Sequence, residues 1–237
     1  MRTVAVVLAA GSGSRFDSAS PKQLRVLAGR TLIDHCVQAF EQAPGVDNVL
    51  VVTAAAIQQQ VSHDLAGHDK VTAVIEGGAS RTDSTRRALE WLAASVPADA
   101  KVLFHDAARP LVEQRIIADC VAALDEWQAI GVVVPSADTI VEVADGIIQR
   151  VLPRHALARC QTPQGFRLSV IRKAYQLADA DPAFATMTAT DDCGVVLRYL
   201  PEVTIGTVSG SERNLKITYT DDLAIATALV TPRAGAD

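Results

Sequence analysis

At 237 residues, 49% of them hydrophobic, the chain can bury a sizeable core, and its length suits one large α/β domain better than two small ones. Its 22 Lys plus Arg against 27 Asp plus Glu leave a net charge of -5, which argues against a protein that coats nucleic acid or a membrane surface, since no basic excess exists to neutralise an extended face of phosphates. A small anionic ligand needs only a local cluster of cations.

The first predicted element, Val4 to Ala10, reads as a strand buried on both faces. Met1-Arg2 ahead of it could open a signal peptide, but the apolar run is short and ends in a glycine turn with Arg15 close behind, so it is read as the first core strand. It runs into Gly11-Ser12-Gly13-Ser14-Arg15 and then Pro21-Lys22-Gln23. A strand that stops at small residues and then presents two cations is suited to trap phosphates: the glycines let backbone N–H groups approach an anion, and Arg15 and Lys22 supply charge. The third glycine of a dinucleotide-binding turn is replaced by Phe16, and the Gly-Lys-Ser/Thr of a P-loop is missing. A glycine-rich turn with solvated cations would read the same way at this point.

Helical spacing follows at Leu32–Phe40, Ile57–Leu65, Thr82–Ala94 and Gln114–Trp127, alternating with apolar strand-like runs at Val49–Thr53, Val71–Ile75, Val102–His105 and Gly131–Pro135, all read as buried on both faces. Alternation of this kind predicts crossover connections and a mostly parallel sheet covered by helices, with the ligand crevice at the carboxyl ends of the strands. The chemistry-bearing residues follow strands: Gly11 to Arg15, Gly77 to Ser84, Asp106 to Pro110 and Pro135 to Thr139. In Gly77-Gly78-Ala79-Ser80-Arg81-Thr82-Asp83-Ser84, Gly78 offers an unhindered N–H and Ser84 a hydroxyl for a base edge, while Ser80, Thr82 or Asp83 caps the helix. Asp106, in His105-Asp106-Ala107-Ala108-Arg109-Pro110, is a lone carboxylate whose countercharge beside a polyphosphate is either Mg²⁺ or Arg109 alone.

The segments Thr139 to Val143 and Ile147 to Leu152, joined at Asp145-Gly146, carry a hairpin signal. Such a hairpin would expose an apolar face unless a second subunit or the chain's own C-terminal helix covers it. The cysteines, Cys36, Cys120, Cys160 and Cys193, lie far apart without metal-ligand spacing and read as reduced, buried thiols of a cytoplasmic protein. No run approaches the ~18–20 apolar residues of a membrane span.

Taken together, Leu-Ala-Ala-Gly-Ser-Gly-Ser-Arg, Pro-Lys-Gln, Gly-Gly-x-x-Arg-x-x-Ser, His-Asp-Ala-Ala-Arg-Pro, Asp138-Thr139, Gln161-Thr162-Pro163-Gln164-Gly165-Phe166, Thr190-Asp191-Asp192 and Asn214-Leu215-Lys216-Ile217-Thr218 resemble, in order, the motifs of the 2-C-methyl-D-erythritol 4-phosphate cytidylyltransferases, over about residues 3 to 228. Ribitol 5-phosphate cytidylyltransferases share most of this framework. The resemblance implies a Rossmann-like nucleotidyltransferase fold, with residues 1–230 as a single domain, 137–156 as a β-hairpin dimerisation arm and 231–237 as a disordered tail. It also implies transfer of CMP from CTP to a polyol phosphate, the alternatives being the ribitol acceptor or a non-catalytic nucleotide-binding module.

Residue by residue, the resemblance implies that Ala9, Ala10, Gly11, Ser12, Gly13, Gly78, Ser84 and Ala107 hold CTP. Arg15, Lys22 and Lys216 would surround the α-phosphate and the leaving pyrophosphate, and Asp106 would hold Mg²⁺. Arg109, Thr139, Arg154, Thr162 and Thr190 would contact the polyol phosphate, with Thr139 and Arg154 supplied from the arm of a second subunit in a homodimer. The family often carries a second carboxylate just before the Asn214 motif; here Glu212 stands nearest and is the candidate second metal ligand.

Overall fold

A computed structural model of the chain describes residues 1–11, 21–186 and 191–231. Its main sheet contains, in chain order, β1 (Thr3–Ala9), β4 (Asn48–Thr53), β5 (Val71–Glu76), β6 (Lys101–Asp106), β7 (Ala129–Pro135), β10 (Ala158–Arg167) and β11 (Ile205–Ser209). The short pair β2 (Val26–Leu27) and β3 (Arg30–Thr31) and the hairpin β8 (Val141–Ala144) and β9 (Ile147–Val151) stand apart from it. The seven strands lie in the order β11-β7-β10-β6-β1-β4-β5. All neighbouring pairs are parallel except those of β10, which runs antiparallel between β6 and β7.

The apolar run of β1 follows from its central place. Ala5, Val7 and Ala9 face a core built with α1 (Leu32–Glu41), α2 (Gln58–Asp64) and α4 (Gln114–Glu126), while Val4, Val6 and Leu8 face one built with α3 (Arg81–Ser95), α5 (Leu168–Asp179) and α6 (Asp192–Tyr199). With period-two alternation and a helix layer on each face, no position on the strand can be polar without burying that polarity. β5 departs from the expectation of two buried faces: as the edge strand it has only β4 beside it, and none of its residues is fully buried. The final helix, α7 (Thr220–Val230), packs through Ala226 on Leu27, Leu32 and Ile217.

Helix starts are encoded locally. Thr31 accepts from the Asp34 N–H at the head of α1, and Asp191 from the Gly194 N–H at the head of α6. At α3, Ser80 accepts from the Asp83 N–H and Asp83 in turn accepts from the Ser80 N–H, a reciprocal box. The hairpin turns at Asp145 and Gly146 with φ of 52° and 76°, the two positive values that a right-twisted two-residue hairpin turn requires. Val143, Ile147, Ile148 and Val151 on it are more than half exposed, and α7 packs against the β2 side rather than covering them.

Three of the cysteines are buried, but Cys160 is exposed, because it lies in the first third of β10, where the strand pairs with β7 but has no β6 beside it. Among the described residues no helix is long and apolar enough to cross a membrane. Residues 232–237, most of the expected tail, lie outside the described residues.

Candidate active site

A cavity of about 290 Å³ opens at the carboxyl ends of β1 and β6. Ala9, Ala10 and Gly11 form its β1 side, Asp106 and Ala107 its β6 side. Arg81 and Ser84 enter from the start of α3, and Lys22 and Lys216 from the loops after β1 and β11. The register explains the meeting: Leu8 lies beside Asp106 in the parallel β1–β6 pair, and the Ala107 N–H donates to the Leu8 carbonyl at 2.9 Å. Glycine is needed where α3 approaches, since a Cβ on Gly77 would stand 2.5 Å from the Ala10 Cβ and one on Gly78 2.2 Å from the Asp83 Cβ. The Gly78 N–H donates to the Ser84 hydroxyl at 3.2 Å, so the two groups expected to read a base are adjacent.

Asp106 is held from several sides. Lys216 Nζ donates to its Oδ2 at 2.7 Å and Arg81 Nε to its Oδ1 at 3.2 Å, while its own N–H donates to the Thr162 hydroxyl at 3.1 Å. Burial alone would raise its pKa, but Arg81, then Lys216 and Arg109, hold it well below the usual carboxylate range. Beneath it, His105 is fully buried, and burial pushes its pKa down to about 4, so the ring is neutral at pH 7. Its Nε2 faces the Arg109 carbonyl at 3.0 Å, which can only accept, so Nε2 carries the proton and Nδ1 accepts from the Thr162 hydroxyl at 3.1 Å. Thr162 is 5% exposed and its hydroxyl is thereby committed to His105 and Asp106.

Arg109 is likewise buried: it donates to the Asn214 carbonyl at 2.7 Å and the Cys160 carbonyl at 3.4 Å, and its Nε has no partner. Burial lowers its pKa, against the opposing attraction of Asp106. The Asn214 amide donates to the Thr162 carbonyl at 2.9 Å and the Ile217 N–H to the Ala108 carbonyl at 2.8 Å, which fasten the loop carrying Lys216 to the site. Lys22 Nζ donates to the Ile217 carbonyl at 2.8 Å, one residue beyond Lys216.

Ser12, Gly13, Arg15 and Thr190 lie outside the described residues. Thr139 and Arg154 are exposed at the base of the hairpin, Arg154 donating to the Ala137 carbonyl at 3.1 Å, and neither lines the cavity of its own chain. Glu212 also stands outside the cavity lining, ion-paired with Arg159. Among the described residues no cluster of three or more His, Cys, Asp and Glu is placed to hold a metal. Asp106, one carboxylate lining a cavity with Lys22 and Lys216, nonetheless fits Mg²⁺, which takes one or two protein carboxylates and fills its remaining positions with substrate phosphates and water.

Two residues that carried no assigned role prove central. Gln23, 4% exposed, donates through Nε2 to the carbonyls of Ala9 and of Gly11, the latter at 2.7 Å, pinning the exit of β1. Arg81 bridges Asp106 to the buried Asp192. Both stand inside motifs already singled out, Pro-Lys-Gln and Gly-Gly-x-x-Arg-x-x-Ser; what one dimension does not show is that they point inward.

Residues 3–232 match the family model described as IspD, 2-C-methyl-D-erythritol 4-phosphate cytidylyltransferase. A protein of that name from Thermobifida fusca is 51% identical over 236 residues, covering 97% of this chain and 93% of the relative. The bifunctional ribulose 5-phosphate reductase/CDP-ribitol pyrophosphorylase Bcs1 of Haemophilus influenzae is 35% identical over 237 residues, covering 98% of this chain and 49% of the relative. Among solved structures, the 2-C-methyl-D-erythritol 4-phosphate cytidylyltransferase of Francisella tularensis superposes with a TM-score of 0.81 at 28% identity, covering 97% of this chain and 100% of that one. The fold is the Rossmann-like one of these cytidylyltransferases, and the cationic cavity lies where a nucleotide binds in such a sheet. The chain belongs to the 2-C-methyl-D-erythritol 4-phosphate cytidylyltransferase family, a family of nucleotidyltransferases.

Proposed function

We propose that the chain transfers CMP from CTP to 2-C-methyl-D-erythritol 4-phosphate with release of pyrophosphate. The observation that carries this is the pairing of Lys216 and Arg81 with one carboxylate, Asp106, in a cavity that Lys22 also lines beside Ala10, Gly11 and Ser84. A site that only binds a nucleotide has little need for so many cations around one point. The ribitol acceptor is supported by a relative at 35% identity, against 51% for the erythritol-named one.

The phosphate oxygen of the acceptor attacks the α-phosphorus of CTP in line. One P–O bond forms, the bond to the bridging oxygen breaks, and its electron pair leaves with pyrophosphate. A phosphate monoester is already a competent nucleophile at neutral pH, so the reaction asks the protein for positioning and charge rather than a general base. Lys22 and Lys216, joined by Arg15 of the same phosphate-binding segment, meet the negative oxygens that crowd the transition state. Asp106 would hold Mg²⁺, which when bound neutralises phosphate charge. Ala9, Ala10, Gly11 and Ala107 leave room for backbone approach to CTP, and the Ser84 hydroxyl, held by the Gly78 N–H, serves the base.

Residues 1–230 act as one cytidylyltransferase domain, and the arm 137–156 dimerises, bringing Thr139 and Arg154 to the acceptor bound in the partner. Their exposure away from their own cavity supports this reading. Free, widely spaced cysteines suit a reducing cytoplasm. The test incubates the purified protein with CTP and Mg²⁺, offers 2-C-methyl-D-erythritol 4-phosphate and ribitol 5-phosphate separately, and follows pyrophosphate. Turnover with the first, exceeding that with the second, is expected. Preference for ribitol 5-phosphate would reassign the acceptor, and silence with both in a folded protein that binds CTP would overturn the reading.

A further inference from the structure

The first residue of α3, Arg81, sends its guanidinium inward from a helix turn whose Ser84 is buried too. Its Nε donates to Asp106 Oδ1 at 3.2 Å and its Nη1 lies 2.8 Å from Asp192 Oδ2. Asp192, 0% exposed, is itself immobilised: Tyr175 donates to its Oδ1 at 2.7 Å and Thr85 at 3.1 Å, and its N–H donates to the Gln164 side chain at 3.1 Å. Gln164 donates in turn to Asp191 Oδ2 at 2.9 Å, and Asp191 caps α6. A continuous chain of polar contacts thus runs from the head of α6, directly after Thr190, to the carboxylate in the cavity.

Burying a fully enclosed aspartate with an arginine brings little net stability over a well-packed apolar pair, because the desolvation of both charges offsets their attraction. The arrangement makes sense as geometry. Lys216 is about half exposed and reaches Asp106 on a flexible stem, whereas the arginine fork is planar and paired with a buried carboxylate, so it is the more rigid of the two cations on the Asp106 carboxylate.

We propose that Arg81 is a positioning residue that, anchored by Asp192, sets the orientation of the Asp106 carboxylate and links it to the start of the 192–199 helix. Nucleotide and acceptor sides of the cavity are therefore set together. The inference rests on the cytidylyltransferase reading, in which Asp106 holds Mg²⁺ with CTP.

The test compares wild type, Arg81→Met, Arg81→Lys, Asp106→Asn and the double variant Arg81→Met/Asp106→Asn. It reads thermal unfolding, kcat and KM for each substrate, and CTP affinity by calorimetry with Mg²⁺ and with EDTA, the calorimetry being done without acceptor. Arg81→Met should weaken Mg²⁺-dependent CTP binding and lower kcat by roughly 10–100-fold, the scale for removing a residue that orients a metal ligand, while CTP affinity in EDTA should fall less. Arg81→Lys retains the charge but not the fork: it should unfold like wild type and still show the loss of Mg²⁺ dependence, which keeps the test open if the methionine variant does not fold. In the Asp106→Asn background the Arg81→Met change should have little further effect, since a residue acting through another is non-additive with it. Additive losses, equal losses in Mg²⁺ and in EDTA, or an Arg81→Lys enzyme within about threefold of wild type would each overturn the proposal. Failure of the underlying reading shows separately, as a wild-type protein without turnover.

Discussion

Lys22 and Lys216 come from opposite ends of the chain, and one carbonyl brings them together: Lys22 Nζ donates to Ile217, whose own N–H is tied to Ala108 behind Asp106. The lysine therefore needs no search to find its place when charge develops on the scissile phosphate, which is what makes such a donor effective. Lys22→Ala should lower kcat by on the order of 10²–10³, the scale for loss of one preorganised stabilising donor. The KM for the acceptor should change far less, and the circular dichroism spectrum should match wild type. Steady-state kinetics on both substrates check this; an unchanged kcat in a folded variant would remove Lys22 from the mechanism. Thr162 teaches a different lesson at the same scale. Its motif resembles an acceptor-binding one, yet its hydroxyl is spent on His105 and the Asp106 N–H, so its place in the structure is to hold the floor of the site.

Elements differ in how openly the chain announces them. β1 declares itself because both its faces are covered, and α3 because Ser80 and Asp83 form its cap within four residues. β10 does not: Gln161, Thr162, Pro163, Gln164 and Gly165 carry turn-like and polar chemistry in a strand whose central residues are buried. Those side chains are polar because they build the site. Gln161 donates to the Ser211 carbonyl, Thr162 serves Asp106, and Gln164 binds Asp191 and Asp192. Thr162 lies two residues from Gln164, which stands opposite Phe104, and its hydroxyl meets the Asp106 N–H, a relation set between segments and invisible in either one alone. The approach of α3 to β1 is likewise a matter of pairs. Gly78→Ala would place a Cβ 2.2 Å from that of Asp83 and 3.0 Å from its backbone, so the helix start must shift. Overpacking of this kind costs roughly 1–3 kcal/mol, and CTP affinity should fall with it because the Gly78 N–H and Ser84 move apart. Thermal unfolding and calorimetry with CTP check both parts; wild-type CTP binding would show that the α3 approach is not part of the nucleotide site.

The hairpin is the part of the molecule that leaves an apolar face uncovered within one chain. Val141 pairs with Val151 and Val143 with Ile148, which puts all four on one face. In a regular strand Ile148 and Val151, three residues apart, would point to opposite sides; the irregularity between the two pairings restores them to the same one. The other face carries the Glu142–Arg150 ion pair at 2.9 Å beside the exposed Ile147, paired with Ala144. A two-stranded ribbon with an exposed apolar face is marginal in water, and closed two-fold pairing is the commonest way for identical chains to cover such a face. Val143→Glu/Ile148→Glu should therefore turn a dimer into a monomer in analytical ultracentrifugation. Since the cavity around Asp106 is built by one chain, the monomer should still bind CTP. It should lose turnover by lacking Thr139 and Arg154 at the acceptor, with the KM for the polyol phosphate rising before that for CTP. A wild-type chain that sediments as a monomer at full activity would overturn this reading of the arm, and would leave Thr139 and Arg154 as surface residues.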